Sequence, residues 1–235
     1  MKISNPKSRN KLKIKKNEYV LEIGGGHNPH RRSNIIVDKF SDDNYHRSGD
    51  IKTYKNQVFI EADGENLPFK DKEFDYVICN QVLEHVENPE VFIKELTRVG
   101  KRGYIETPSL IGEYLFPKKS HKWVLLEIEK KIVMAEKNIT GINPKIEFGD
   151  LFLHFLPGQS LGYKILEKTY PDLFTLRYEW ENEIDLCINP SDQKYLKYFT
   201  NPWDENYIAK FFQPRSIIKE FSLTVNAFLN LLYLL

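Results

Sequence analysis

The sequence predicts an α/β fold. A doubly wound, mostly parallel sheet is completed by antiparallel hairpins toward the C-terminus and carries a helical cap and tail. Three observations lead there. Five short, near-continuously apolar runs, at 20–23, 35–38, 58–62, 75–79 and 103–107, have the length and composition of strands buried on both faces. An amphipathic run at 89–99 lies between the last two. The first run breaks directly into Gly24-Gly25-Gly26, where the backbone can turn sharply and approach a ligand closely.

Each element follows from its local pattern. The helix at 89–99 has Asn88 as N-cap, Pro89 in its first position, a stripe of Val91, Phe92, Leu96 and Val99, and Gly100 at its end. Only residues 29–34 separate the glycine turn from the second strand, so any first helix is very short, capped by Asn28 with Pro29 at its start. Beyond residue 108 the pattern changes. Runs at 123–128 and 132–135 flank Glu129-Lys130-Lys131 as a hairpin. Runs at 151–156 and 161–168 read as helices broken by Pro157-Gly158. Runs at 173–180 and 183–188 read as a second hairpin across Glu181-Asn182, able to finish the sheet with antiparallel strands. The chain divides into a basic extension at 1–17, a core at 18–119, and a region at 120–235 that completes the sheet, caps the site and closes on an apolar helix.

Bulk composition narrows the function. The 235 residues are 41% apolar, enough for a sizeable core. A net charge of +1 gives no field for nucleic acid. Residues 1–17 hold seven Lys and Arg, starting at Lys2, before the first acid, Glu18; they either contact phosphate or an anionic membrane, or fray in solvent. Cys79 and Cys187 lack metal-ligand spacing and suit a reducing cytoplasm as buried thiols. No secretion signal and no run of membrane-spanning length is present. Residues 221–235 either dock on the core or lie in a membrane interface, with Arg215 and Lys219 near their start.

The strand ends carry the chemistry. Gly24, Gly25 and Gly26 open the first turn, with Glu22 just before them and His27 just after. Asp38 ends the second strand, where a carboxylate accepts from both hydroxyls of a ribose. Asp63 ends the third and accepts from an adenine amino group, with Gly64 leaving room for the ring. Asn80 and Gln81 follow the fourth. This set suits S-adenosylmethionine: unpaired N–H groups for its carboxylate, Glu22 for its ammonium, Asp38 and Asp63 for its nucleoside. A dinucleotide fits less well. The third glycine of G-x-G-x-x-G would fall at Pro29, and Asp38 follows Gly24 by only 14 residues.

Residues 20–108 resemble the class I S-adenosylmethionine-dependent methyltransferases, in the small-molecule branch related to ubiquinone-biosynthesis enzymes. The matching segments are Val20-Leu21-Glu22-Ile23-Gly24-Gly25-Gly26, Ala62-Asp63-Gly64-Glu65-Asn66-Leu67-Pro68-Phe69, Phe74-Asp75-Tyr76-Val77-Ile78, Val82-Leu83-Glu84-His85-Val86 and Glu95-Leu96-Thr97-Arg98-Val99. The resemblance implies a Rossmann-like sheet and that cofactor. Asn28 stands where the family has its third glycine, so the methionyl end is held differently, with help from His27. The segment from Gly112 through Trp123 resembles methyltransferases encoded with bacterial surface-polysaccharide enzymes, which implies a sugar hydroxyl as acceptor on a nucleotide or polyprenyl carrier.

Methyl transfer from a sulfonium asks the protein for alignment and, with an oxygen or nitrogen acceptor, for a base. Candidate bases are His85 and His121, with Glu84 and Glu106 behind them. His85 acts as base or as a positioning group; Glu106 is a base or a charge paired inside the fold. Ser120-His121-Lys122-Trp123 faces the substrate or is a plain turn into the hairpin, and Tyr45-His46-Arg47 is an anion contact or ordinary loop. No histidines show metal-ligand spacing, so no metal is expected. Two other readings stand beside a glycan O-methyltransferase: a C- or N-methyltransferase of quinone or lipid biosynthesis, and a non-catalytic binding module. The last has no need of Glu22, Asp38 and Asp63 together.

Overall fold

The computed structural model describes residues 1–39, 49–141 and 149–232. Tyr45-His46-Arg47 lies outside them. In chain order the elements are β1 (Lys2–Ser4), β2 (Val20–Ile23), β3 (Ile35–Asp38), β4 (Val58–Glu61), β5 (Phe74–Asn80), α1 (Pro89–Val99), β6 (Gly100–Pro108), α2 (Leu110–Leu115), β7 (Trp123–Ile128), β8 (Lys131–Glu136), α3 (Lys137–Thr140), α4 (Leu156–Gln159), α5 (Leu161–Thr169), α6 (Pro171–Phe174), β9 (Thr175–Glu181), β10 (Leu186–Ile188), α7 (Gln193–Thr200), α8 (Glu205–Phe211) and α9 (Ile217–Leu232). A wide π-type turn at Leu151–Phe155 precedes α4.

The main sheet has the order β1-β9-β6-β5-β2-β3-β4. Strands β2 to β6 pair in parallel and β9 runs antiparallel to β6. The sheet is thus mostly parallel, as the apolar runs predict. The chain starts at β2, builds β3 and β4 on one side, then returns to lay β5 and β6 on the other. A crevice opens outside the carboxyl ends of β2 and β5, where connections leave in opposite directions. The central strands carry the core: Leu21, Val77 and Ile105 are fully buried and α1 covers them with Phe92, Ile93, Leu96 and Val99, whereas Ile78 is buried on the opposite face. Val91, expected in that stripe, is 38% exposed; its neighbour Ile93 lies on the buried arc with 89, 92, 96 and 99. Asn88 caps α1 as expected, accepting from Val91 N at 3.2 Å.

The hairpin at 123–136 forms, with Glu129 and Lys130 both at positive φ as a two-residue turn requires. Its inner face (Trp123, Leu125, Ile132, Met134) joins the main core, and its outer face packs on Tyr198 and Phe199 of α7.

Four local expectations are corrected. Residues 175–181 and 186–188 are not a hairpin: β9 pairs with β6, whereas β10 pairs in parallel with β8 in a second sheet. Partners outside the local chain win because each strand buries more against them. No helix forms between β2 and β3, where 24–34 run as turns. Pro157 does not break a helix but starts α4; the break falls at Ser160, which caps α5 by accepting from Tyr163 N. Cys187 is half-buried rather than buried.

Residues 1–17 are docked on the core. Strand β1 pairs with β9, Leu12 and Ile14 pack on Val20, Tyr76, Ile78 and Tyr104, Lys2 pairs with Glu127, and Arg9 reaches Glu22 at 3.1 Å. At the other end α9 contacts α5, and only Ala227 of it is buried. Ile217, Ile218 and Phe221 are 87%, 82% and 71% exposed, continuing through Val225, Phe228, Leu229 and Leu232 as one apolar stripe. Among the described residues no helix is long and apolar enough to cross a membrane.

Candidate functional site

The crevice between β2 and β5 is a cavity of about 480 Å³. Gly24, Asp38, Asp63, Gly64, Gln81 and His85, all expected at the site, lie on its wall. They follow or end four successive strands, β2, β3, β4 and β5, so the sheet brings them together. Lys39, Glu65, Val82, Phe92 and Lys119 join the lining without having been singled out as site residues, and Ser120 and Lys122 of the 120–123 run reach it as well.

Gly24 turns away from β2 at φ +74; a Cβ there would lie 2.1 Å from Val82 Cγ2. Gly64 sits under Phe92, whose ring a Cβ would meet at 2.4 Å. Packing against α1 thus requires a glycine here, on the cavity wall that Gly64 shares with Phe92. Gln81 holds φ +56, unusual for a side chain of its kind, with its N–H on Glu106 O at 2.7 Å. Its exposed side chain is thereby turned to the cavity. Asp63 accepts from Lys39 Nζ at 2.7 Å and from Glu65 N at 2.9 Å. Burial works to raise its pKa, but these two hydrogen bonds outweigh it and hold the carboxyl below its ordinary value. A ligand amino group would compete with Lys39 for Asp63. Glu65 in turn accepts from Glu87 N and Asn88 N, tying the cavity wall to the start of α1.

Other expected residues sit elsewhere. Glu22 is wholly buried and accepts from His30 N at 2.7 Å, Ser33 Oγ at 2.7 Å and Arg9. It organises the turn after β2 and does not reach the cavity wall, so the ammonium contact expected of it is replaced by Arg9. Burial pushes its carboxyl above the usual range despite Ser33 and Arg9. Gly25, Gly26, His27 and Asn80 are likewise off the wall, His27 in solvent. Glu106 pairs with Arg177 at 3.2 Å and accepts from Tyr104 OH, the paired charge of the structural alternative.

His121 is buried behind the cavity, its Nδ1 2.5 Å from Glu113 Oε2, and Lys137 pairs with the same carboxylate. The turn carrying it is clamped to the Glu84-His85-Val86 segment. Lys122 N and Trp123 N donate to Glu84 O at 2.8 and 3.2 Å, and Trp123 Nε1 donates to Val86 O at 2.8 Å. The His85 and His121 rings meet edge to face, centroids 4.6 Å apart. A ring nitrogen of each and a carboxylate oxygen of Glu84 lie within 4.8 Å of one another. Chain spacing gives no hint of this, because 36 residues separate the histidines. Glu84 Oε2 accepts from Thr107 Oγ1 at 2.9 Å, Oε1 is buried without a hydrogen-bond partner, and burial raises its pKa.

Comparison with known proteins finds similarity to methyltransferases over part of the chain. Residues 39–105 match the family model described as a methyltransferase domain. Among curated proteins, an uncharacterised protein of Methanocaldococcus jannaschii is 47% identical over 66 residues, 26% of this chain and 32% of that protein. Norajmaline N-methyltransferase of Rauvolfia serpentina is 36% identical over 78 residues, 33% of this chain and 26% of that enzyme. The chain therefore spans a third or less of the length of these relatives. Among solved structures, a Thermotoga maritima SAM-dependent methyltransferase, described as a possible histamine N-methyltransferase, shares 26% identity over 41% of this chain and 46% of that one, with TM-score 0.31.

Proposed function

We propose that this chain is an S-adenosylmethionine-dependent methyltransferase acting on a small acceptor. The observation that carries this is the convergence of Gly24, Asp38, Asp63-Gly64 and Gln81, from four successive strand ends, on one cavity at the switch point of the sheet. The matched methyltransferase domain, residues 39–105, spans two of these four positions, Asp63-Gly64 and Gln81. Asp38 would hold the ribose hydroxyls, Asp63 the adenine amino group in exchange for Lys39, and Gln81 would flank the methyl group. The protein aligns donor and acceptor and excludes water; the sulfonium supplies the electrophile.

The test is calorimetric titration with S-adenosylhomocysteine. Micromolar binding is expected, and Asp38→Ala, which removes a charged hydrogen-bonding group worth about 1.5–3 kcal/mol, should weaken it about 10- to 100-fold. No binding by folded protein would favour a non-catalytic module.

For the acceptor we favour a hydroxyl on a glycan of surface-polysaccharide synthesis, on an anionic carrier. Lys119 brings positive charge to the cavity rim in support, beside Lys122, which is paired with Glu87, and His85 on the wall suits the base. A nitrogen acceptor is the second reading, favoured by the match to the N-methyltransferase of Rauvolfia serpentina. A cytoplasmic protein touching the inner membrane face fits the apolar stripe of α9; the N-terminal contribution is smaller, because Lys2 and Arg9 are engaged internally.

A further inference from the structure

We propose that Glu84, His85 and His121 bind a first-row divalent cation at the inner end of the cavity. Two imidazole nitrogens and one carboxylate oxygen within 4.8 Å form the donor set that zinc and non-haem iron sites use, with positions left open for a substrate. The second observation is independent. Glu84 is 1% exposed, yet its Oε1 has no hydrogen-bond partner, and His85 Nε2 lies 4.0 Å from that atom. A buried polar oxygen left this way is costly unless something of opposite charge meets it.

Each donor is also aimed from behind. Glu113 takes His121 Nδ1, so a cation would use Nε2. His85 Nδ1 meets Ser120 O at 3.0 Å, which directs Nε2 toward Glu84. Thr107 holds Glu84 Oε2 and leaves Oε1 for the cation. Carboxylate or carbonyl partners on the far nitrogens of ligating histidines commonly fix ring orientation and tautomer at such sites. A tetrahedral cation with bonds near 2.0–2.1 Å separates its donors by about 3.3 Å, so the donors, now within 4.8 Å of one another, close by up to about 1.5 Å on binding. The expectation of no metal rested on chain spacing; the clamp of 120–123 onto 84–86 supplies what spacing lacks.

His85 connects the cluster to the cavity wall. Within the methyltransferase reading, a cation there would bind an acceptor oxygen and lower its pKa, easing loss of the proton. That role rests on the reading; cation binding does not, and the test keeps them apart. Full-length protein stripped with chelator is titrated with Co²⁺ and Zn²⁺, without donor or acceptor. One cation per chain is expected, with a visible Co²⁺ absorption band from imidazole ligation and displacement of Co²⁺ by Zn²⁺. His85→Gln, His121→Gln and Glu84→Gln should each weaken binding at least tenfold, whereas His154→Ala, at an exposed histidine, should not. Absence of a Co²⁺ band from folded wild-type protein at millimolar metal overturns the proposal, even if the variants fail to fold. So does affinity unchanged in all three variants. Cation binding without S-adenosylhomocysteine binding would sink the methyltransferase reading and leave the metal site standing.

Discussion

Arg9→Ala tests the docking of the N-terminal segment and the state of Glu22 at once. The Glu22 carboxylate is fully buried, and Arg9 is the cation in contact with it. Removing Arg9 leaves hydrogen bonds from His30 N and Ser33 Oγ but no counter-charge. Breaking a buried ion pair from one side costs about 3–5 kcal/mol. At about 2–4 °C per kcal/mol for a chain of this size, Tm should fall by roughly 6–20 °C near pH 8. The pH dependence has a definite sign. Burial already raises the Glu22 pKa in the folded state, and losing Arg9 raises it further. A carboxyl whose folded pKa is raised favours folding below its unfolded value of about 4.3 and withdraws that support as pH climbs through the folded value. The variant's deficit should therefore shrink toward about 1 kcal/mol as pH falls, because protonation of Glu22 removes the charge that Arg9 balances and leaves only hydrogen-bond terms. Urea unfolding of wild type and variant at pH 5, 6.5 and 8 measures this. A deficit below about 1 kcal/mol at pH 8, flat across pH, would refute the reasoning, because Glu22 would then have reached water or another cation.

Gly24→Ala combines a left-handed backbone, about 1–2 kcal/mol for a non-glycine residue, with a 2.1 Å clash on Val82, about 1–3 kcal/mol more, and should lose about 2–5 kcal/mol in urea unfolding. Trp123→Phe keeps a buried ring but leaves Val86 O without its indole donor, an expected loss of about 1–3 kcal/mol, together with weaker Co²⁺ binding if the clamp on His121 slackens. Ile218→Ser with Phe221→Ser, at positions 82% and 71% exposed, should move Tm by no more than a degree or two while reducing co-sedimentation with anionic liposomes; a large fall in Tm would mean α9 docks through this face.

Much of the site was readable along the chain because parallel α/β topology sends every strand end to the same edge. Knowing that 20–23, 35–38, 58–62 and 75–79 are buried strands is enough to bring Gly24, Asp38, Asp63 and Gln81 together. The helix at 89–99 was equally plain, since cap, proline and apolar period agree. Local pattern was silent wherever two segments distant in sequence compete for one partner. Whether β9 pairs with β10 or with β6, and whether Glu22 faces a ligand or Arg9, depends on which contact buries more surface or neutralises more charge.

The residues of this chain by themselves determined its strand set, its doubly wound class and the edge at which a ligand binds, because those follow from apolar runs and from where turns fall. Only the tertiary structure decided the rest. It docked the basic N-terminus as a sheet strand, left the α9 stripe in solvent, and drew His121 onto Glu84 and His85 through hydrogen bonds from Lys122 and Trp123. Such contacts carry no sequence period. They exist because a buried carbonyl, a buried carboxylate and an unpaired strand edge must each find a partner, and the nearest one is set by the fold.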